Sequence, residues 1–574
     1  MTDNRSQYEK QFPSMPQYDV SPELKKLVLK FMVAMVINFV VLGSFAIGMR
    51  IIQADIPFPN TDPIPQNVLF YSLLTAHGQG MIFGVISANT MWFGYYAISK
   101  WGRKPLVGIK LAKASFWIME CSIILIIISA AMGYGGGWYD LMPLPFLSGT
   151  PNMAWGNIAT ILFLFADFLV GVFLTIFCIV IIATALKGKI AAGIQHYEDK
   201  EYEQRDGQFY DIDDQSSAND LSEKMENLPS AVRWVSLIGI GSWFTRKWRS
   251  KIPQVSIVVV AVFVTAVVQI VGNPGLFLQV FEGFAHMSNP SNPTNWFLVK
   301  ESWWFFGHPI VYFPILVFLG AAYFLFATSY GNNRVPYDKW NYRPWPFYFL
   351  FSLLVFNHHI FMDMPLPTWL GLVSQAASMA IVFPSGLTLA TILHHIYRNK
   401  ISWNVTTKFL IIGIMGWAFG GLQGATTGVW GMDIYQHNTM AMPGHIHFMM
   451  LAGALPAAFG ILYAVIPDLT KKQMNKTLAE IHFWGTAIGI FSLSFLFTFI
   501  GMDGAVRREA DMPSAYDWAM PWLLSFALII GITQFIFVYN FFNTLRRKAN
   551  DDEIKEYDNT HKQPKGMGIS PSSE

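Results

Sequence analysis

Charge is scarce in this chain. Asp, Glu, Lys and Arg make up 13% of its 574 residues, against about 25% in soluble globular proteins. That shortfall excludes a chain built of water-soluble domains. Cysteine is scarcer still: Cys121 and Cys178 are the two in the sequence, both inside apolar runs. They exclude a disulfide framework, an iron–sulfur cluster and a thiolate zinc site. The Cys-x-x-Cys-His pattern is missing, so this chain attaches no c-type haem. The first 24 residues lack the positive, apolar and small-residue order of a signal peptide, and the first apolar helix is expected to act as an uncleaved start. No internal repeat is evident. The net charge of +2 carries no information about partners, and no nucleic acid is expected among them.

What the chain has instead is apolar length. It is 53% hydrophobic and 16% aromatic, with mean hydropathy +0.36. Twelve segments reach the roughly 20 residues a bilayer requires: 27–53, 68–98, 109–134, 153–186, 254–274, 302–330, 345–363, 371–397, 407–431, 440–466, 479–502 and 519–545. The expected fold is an all-α polytopic membrane protein, a bundle of about twelve transmembrane helices. Lys and Arg cluster before the first segment and after every even-numbered one, as in Lys100–Lys110, Arg334–Arg343 and Arg546–Lys548. By the positive-inside rule both termini are cytoplasmic. Three units follow: a polar N-terminal segment 1–24, a membrane domain 25–548, and a flexible tail 549–574. Within the domain, 187–253 is a cytoplasmic insertion, acidic in its first half and basic at its end. It reads as a solvated loop with basic residues against headgroups.

Six of the 13 histidines, His77, His308, His358, His359, His445 and His447, stand out from the rest, and all six fall in apolar segments. An imidazole in a membrane is costly unless it has a partner, and neutral histidine is the commonest metal ligand. In Pro443-Gly444-His445-Ile446-His447 the two rings point about 200° apart on a helix, so one helix can serve two partners. His308 and Tyr312 are spaced i, i+4 on one face beside Pro309. His358 and His359 are adjacent, about 100° apart on an α-helix, and can reach one ion only if it lies between them or the helix end is distorted. Three imidazoles suit copper. For each motif taken alone, a hydrogen-bonded core histidine or a packed tyrosine is the competing interpretation.

Together the motifs Ala76-His77-Gly78, Gly307-His308-Pro309-Ile310-Val311-Tyr312, Asn357-His358-His359 and His437-Asn438-Thr439 followed by Pro443-Gly444-His445-Ile446-His447 resemble those of subunit I of the haem–copper oxidase superfamily. The resemblance covers nearly the whole chain. It implies that His77 and His447 ligate a low-spin haem, that His445 ligates a high-spin haem, and that His308, His358 and His359 hold the copper CuB. It implies that Tyr312 is covalently linked to His308. Asp433, His437, Arg507 and Arg508 resemble the group around the haem propionates. Isoleucine at 310, where another branch has glutamate, is similar to the B family, which pairs a b-type low-spin haem with an a- or o-type high-spin one. That family draws protons along one path, here matched by Tyr323, Ser385, Thr388 and Thr391, the last three on one helix stripe. Small polar residues packing helices in a membrane are the alternative. A tyrosine usual one turn before Tyr323 is Leu319 in this chain.

The function implied is terminal respiratory oxidation in a prokaryotic plasma membrane: O₂ reduced to water, protons taken from the cytoplasm, protons translocated. Expected partners are a subunit II, further small membrane subunits, and an electron donor that is cytochrome c, a small copper protein or quinol. The alternative within the superfamily is nitric oxide reduction, which is expected to show glutamates near the metal and no equivalent of Tyr312. A transporter or channel with ion-binding histidines is a third reading, and it is expected to show charged or broken helices near the membrane centre.

Overall fold

The computed structural model describes residues 20–56, 65–102, 104–139, 155–187, 204–205, 208–209, 229–245, 255–291, 293–328, 339–363, 366–398 and 401–561. In lipid each backbone polar group must be satisfied within the segment, so long apolar runs fold as helices. Among the described residues eleven helices, of 23 to 37 residues, are long and apolar enough to cross a membrane. They are α1 (Pro22–Gln53), α2 (Gln66–Gly102), α3 (Ile109–Ala131), α4 (Asn157–Lys187), α5 (Ile257–Ser288), α6 (Trp296–Thr328), α8 (Thr368–Tyr397), α9 (Val405–Thr427), α10 (Ala441–Thr470), α11 (Lys476–Met502) and α12 (Ser514–Arg546). Local signals set several ends. Ser21 Oγ accepts from the Leu24 amide with Pro22 at the first helical position of α1. Asn404 and Thr407 form a reciprocal cap at the start of α9, and Asn475 caps α11.

The seventh expected segment is a correction. Residues 345–363 form no continuous α-helix. They fold as a short helix, α7 (Trp345–Phe351), then a turn, then a 3₁₀ stretch at Phe356–Ile360. Pro344 and Pro346 withhold amide donors at its start. A single 3₁₀ turn also spaces successive side chains by about 120°, which changes how His358 and His359 are presented. The tail expected to be flexible is described as far as His561. After Ala549 the chain forms a helix, α13 (Asp551–His561). Asn550 Oδ1 accepts from the Glu553 amide, and Glu553 pairs with Arg547 at 2.5 Å. That pair holds the Glu553 carboxyl down at about 2. Residues 1–19 and 562–574, and most of the 187–253 insertion, lie outside the described residues. The described part of the insertion holds a two-residue antiparallel ladder, 204–205 with 208–209, and a short helix Ser230–Leu237.

Helices α5, α6 and α10 occupy the centre: 83% of the residues in their most apolar stretches are buried in the protein, against 33% in α8 and α12. Close backbone approach makes this possible. A Cβ at Gly275 of α5 would lie 2.1 Å from the Ser302 carbonyl oxygen of α6. One at Gly416 of α9 would lie 2.2 Å from the Ala452 carbonyl oxygen of α10. Two π-helical stretches interrupt the α pattern, Met81–Ile86 in α2 and His447–Ala454 in α10. Such bulges recur at functional sites.

Candidate metal and haem site

All six singled-out histidines line one cavity of about 590 Å³, together with Tyr312, Trp304, Arg50, Arg507 and Arg508. Three of them converge. His308, His358 and His359 each offer a ring nitrogen, and these nitrogens lie within 4.8 Å of one another. His308 Nδ1 stands 3.0 Å from His359 Nε2. His358 and His359 lie on the 3₁₀ turn, and Ser378 and Trp304 hold their rings so that a nitrogen of each approaches one from His308. Trp304 stacks flat on the His359 ring, with centroids 3.8 Å apart and planes 4° apart, so the ring's plane is set before any ion arrives. His358 Nδ1 meets Ser378 Oγ at 2.8 Å, which leaves its Nε2 for a ligand. His308 Nε2 is buried without a hydrogen-bond partner, an expense a binding role explains. Three neutral imidazoles fit a copper ion. The Tyr312 ring lies 4.8 Å from the His308 ring, centroid to centroid, on the same helix face.

The other three histidines share one design. His77 Nδ1 bonds the Leu42 carbonyl at 2.9 Å, His447 Nδ1 that of Pro443 at 2.7 Å, and His445 Nδ1 that of Gly420 at 3.0 Å. A carbonyl only accepts, so each Nδ1 carries the proton and each Nε2 keeps its lone pair for a metal. His445 faces α9, where a Cβ at Gly424 would come within 2.8 Å of its ring. His447 faces α11, with the Phe497 ring 5.1 Å away. The two rings thus serve opposite sides of α10, as their spacing predicts. The donor set that lines this cavity, three imidazoles with Nε2 free and a convergent trio, has the chemistry to ligate haem iron and a copper ion.

At the end of the cavity away from the basic loops lies a polar rim. His437 Nδ1 bonds Asp433 Oδ2 at 2.9 Å, on a short helix Trp430–Gln436. Arg507 donates to Asn438 Oδ1 at 3.2 Å, and its buried Nε has no partner. Burial pushes the Arg507 guanidinium down to about 10, still cationic at neutral pH. Arg508 sits at φ 67°, a strained backbone for a non-glycine, bonded to the Tyr139 hydroxyl with its guanidinium 4.9 Å from that ring. Arg507 and Arg508 line the cavity, and Asp433 and His437 are not among its lining residues. Anionic groups reaching this rim would meet two guanidinium ions.

The four hydroxyl residues also come together. Tyr323 Oη and Thr391 Oγ1 are 2.6 Å apart, Thr388 is buried beside them, and Ser385 lines the cavity. Sequence reasoning passed over three residues. Ser378 holds His358. Tyr348 joins the hydroxyl cluster through Thr388 at 3.0 Å. Arg50 is buried near the end of α1, 5.3 Å from the Phe497 ring centroid, with Nη1 lacking a partner. Only Arg50 had a readable signal, a lone charge in an apolar run.

The model of the cytochrome c and quinol oxidase polypeptide I family matches residues 26–197 and 228–536. The chain is similar to cytochrome c oxidase subunit 1 of Synechocystis, 26% identical over 491 residues, which cover 85% of this chain and 77% of that protein. It is also similar to the alternative cytochrome c oxidase subunit 1 of Bradyrhizobium diazoefficiens, 23% identical over 508 residues, with the same two coverages of 85% and 77%. Its fold is similar to that of a heme-copper terminal oxidase dimer solved by cryo-EM. The TM-score is 0.60 at 16% identity, covering 96% of this chain and 86% of that one.

Proposed function

This chain belongs to the cytochrome c and quinol oxidase polypeptide I family, and from that premise we propose that it reduces O₂ to water at a haem–copper centre, with protons drawn from the cytoplasm and others translocated. As a haem–copper oxidase subunit I it is a membrane-embedded terminal oxidase working with an electron donor and further subunits. The observation that carries the finer reading is the convergence of His308, His358 and His359 in the same cavity as His77, His445 and His447.

His77 and His447 would hold the low-spin haem, His445 the high-spin haem, and the His308 trio CuB. When bound, these groups supply electron transfer and the redox chemistry on O₂. The protein's share is orientation and proton supply. The Nδ1 contacts fix the ring tautomers, Trp304 fixes the His359 plane, and Arg507 and Arg508 balance propionate charge. Tyr312, linked to His308, would hold a proton beside the reacting site and give it up together with an electron. Tyr323, Thr391, Thr388 and Ser385 would pass protons inward from the basic face. Ile310 supports a B-family assignment with a b-type low-spin haem and an a- or o-type high-spin haem. Cytochrome c, a small copper protein or quinol would deliver electrons, with a subunit II alongside, in a prokaryotic plasma membrane. The basic loops support cytoplasmic termini, with 187–253 a cytoplasmic insertion in a single membrane domain 25–548. For nitric oxide reduction, no observation speaks: among the described residues the ligand cluster contains no carboxylate, and Tyr312 stands beside His308.

Purified complex should show a high-spin haem in reduced-minus-oxidised and CO-difference spectra and should consume O₂ with quinol or cytochrome c. His308→Ala should lose copper and turnover while keeping the low-spin signal. Full activity in that variant would end the proposal.

A further inference from the structure

Leu319 takes a hydroxyl away from α6 one turn before Tyr323, yet the polar line at that depth continues on another element. Tyr348, on α7, is 1% exposed and donates from Oη to Thr388 Oγ1 at 3.0 Å. The Ser385 side chain stands next to the same hydroxyl. On the side toward the basic loops, Tyr323 Oη meets Thr391 Oγ1 at 2.6 Å and the Thr388 carbonyl at 3.4 Å. Thr391 spends its own hydrogen on the Leu387 and Thr388 carbonyls, at 3.0 and 2.9 Å, so Tyr323 is the donor toward Thr391. The order Thr391, Tyr323, Thr388, Tyr348, Ser385 follows one stripe of α8, with Tyr323 packed on it from α6 and Tyr348 from α7. Tyr323 reaches the Thr388 carbonyl, which only accepts, so passage from Tyr323 to Thr388 Oγ1 takes a bridging water. Six residues of helix separate Thr391 from Ser385, a rise of about 9 Å. At its upper end Tyr348 and Ser385 line the cavity that Tyr312 also lines.

We infer that Tyr348 is the proton-carrying hydroxyl that replaces the one missing at Leu319, joining Thr388 to Ser385 and so to the cavity before Tyr312. The inference rests on the oxidase reading and names one further residue of its proton supply. A tyrosine satisfied by a backbone carbonyl is a packing residue, and the same region contains one: Tyr342 Oη donates to the Val255 carbonyl at 2.9 Å. Tyr348 differs. Its hydroxyl sits between two side-chain hydroxyls, each able to both accept and donate, and it borders the cavity. In each passage the Tyr348 oxygen takes a proton from one neighbour and releases its own to the other. Only O–H bonds form and break, and the residue's net charge is unchanged afterwards. Water in the cavity completes the contact with Tyr312.

The test uses the purified, haem-loaded complex with Tyr348→Phe, Tyr323→Phe and Thr388→Val in parallel. Y348F removes one oxygen and keeps the ring. Its haem spectra and its KM for the electron donor should match wild type, while proton uptake during reduction, followed with a pH dye, and turnover should both fall at least about tenfold. Wild-type uptake in Y348F, with T388V and Y323F slowed, would overturn the role of Tyr348 and leave the path standing. Wild-type uptake in all three would overturn the path itself. Should Y348F fail to retain haem, a fluorinated tyrosine placed at 348 decides the matter, because it keeps the shape and changes only the acidity of the hydroxyl. An altered uptake rate supports the relay, and an unchanged one refutes it.

Discussion

Ser378→Ala isolates what a single outer-shell hydrogen bond does for the copper site. The Ser378 hydroxyl gives its one hydrogen to the Ser374 carbonyl at 2.7 Å. Toward His358 it can therefore only accept, and the 2.8 Å contact puts the imidazole proton on Nδ1. His358 Nε2 is thereby left bare on the side where His308 and His359 converge. Alanine keeps the helix and removes the acceptor. The buried Nδ1–H then has no partner, at a cost of about 1–3 kcal/mol. Ring orientation and tautomer are freed at the same time. Every 1.4 kcal/mol is about tenfold in an equilibrium, so copper affinity should fall roughly 10- to 100-fold, the range found for outer-shell partners of metal-bound histidines. The assay is a competition of purified enzyme against a copper chelator, with copper and iron measured on the same sample. S378A should release copper at 10- to 100-fold lower chelator while iron stays constant, and Ser378→Thr should restore retention. Unchanged copper retention would refute the reasoning. So would copper and iron falling together, since that reports general unfolding.

Three shorter predictions follow. In Gly424→Ala a Cβ would stand 2.8 Å from the His445 ring; overpacking of this kind costs about 1–3 kcal/mol, and the CO-difference signal of the high-spin haem should weaken while the low-spin spectrum holds. Normal signals from both would count against His445 as an axial ligand. Tyr312→Phe should keep haem and copper and lose turnover by about 10²- to 10⁴-fold; near-normal O₂ consumption would remove Tyr312 from the chemistry. The third concerns pH. The Glu553 carboxyl is held at about 2 by Arg547, below its ordinary value of 4.5, so its contribution to docking α13 is complete above about pH 4.5 and is lost as pH falls toward 2. Hydrogen exchange in 551–561, corrected for intrinsic rate, should rise across that window in wild type. Glu553→Gln should remove the dependence, and identical profiles would refute it.

Much of the molecule was readable before its structure because membranes impose severe rules. An apolar run long enough to span lipid has essentially one way to satisfy its backbone, so eleven of the twelve expected spans appear as helices. A ring nitrogen inside such a run demands a partner, and it was the combination of motifs that set His77, His308, His358, His359, His445 and His447 apart from core histidines. The opposed directions of His445 and His447 followed from helical angle alone.

Where reading failed, the information was tertiary. Composition averaged over 345–363 is apolar enough to read as a span, and it hides the break that puts His358 and His359 on a 3₁₀ turn beside His308. Ser378 and Tyr348 look like ordinary helix-packing residues. Their partners lie 20 and 40 positions away in the chain, at His358 and Thr388, and no local period links such positions. By itself the sequence determined eleven segments long and apolar enough to cross a bilayer and the six histidines that line the cavity, because both follow from the cost of leaving a polar group unsatisfied in lipid. Only the packing of α6, α8 and the broken seventh segment brought His308 to His359, Ser378 to His358 and Tyr348 to Thr388, because each of these contacts joins positions far apart in the chain.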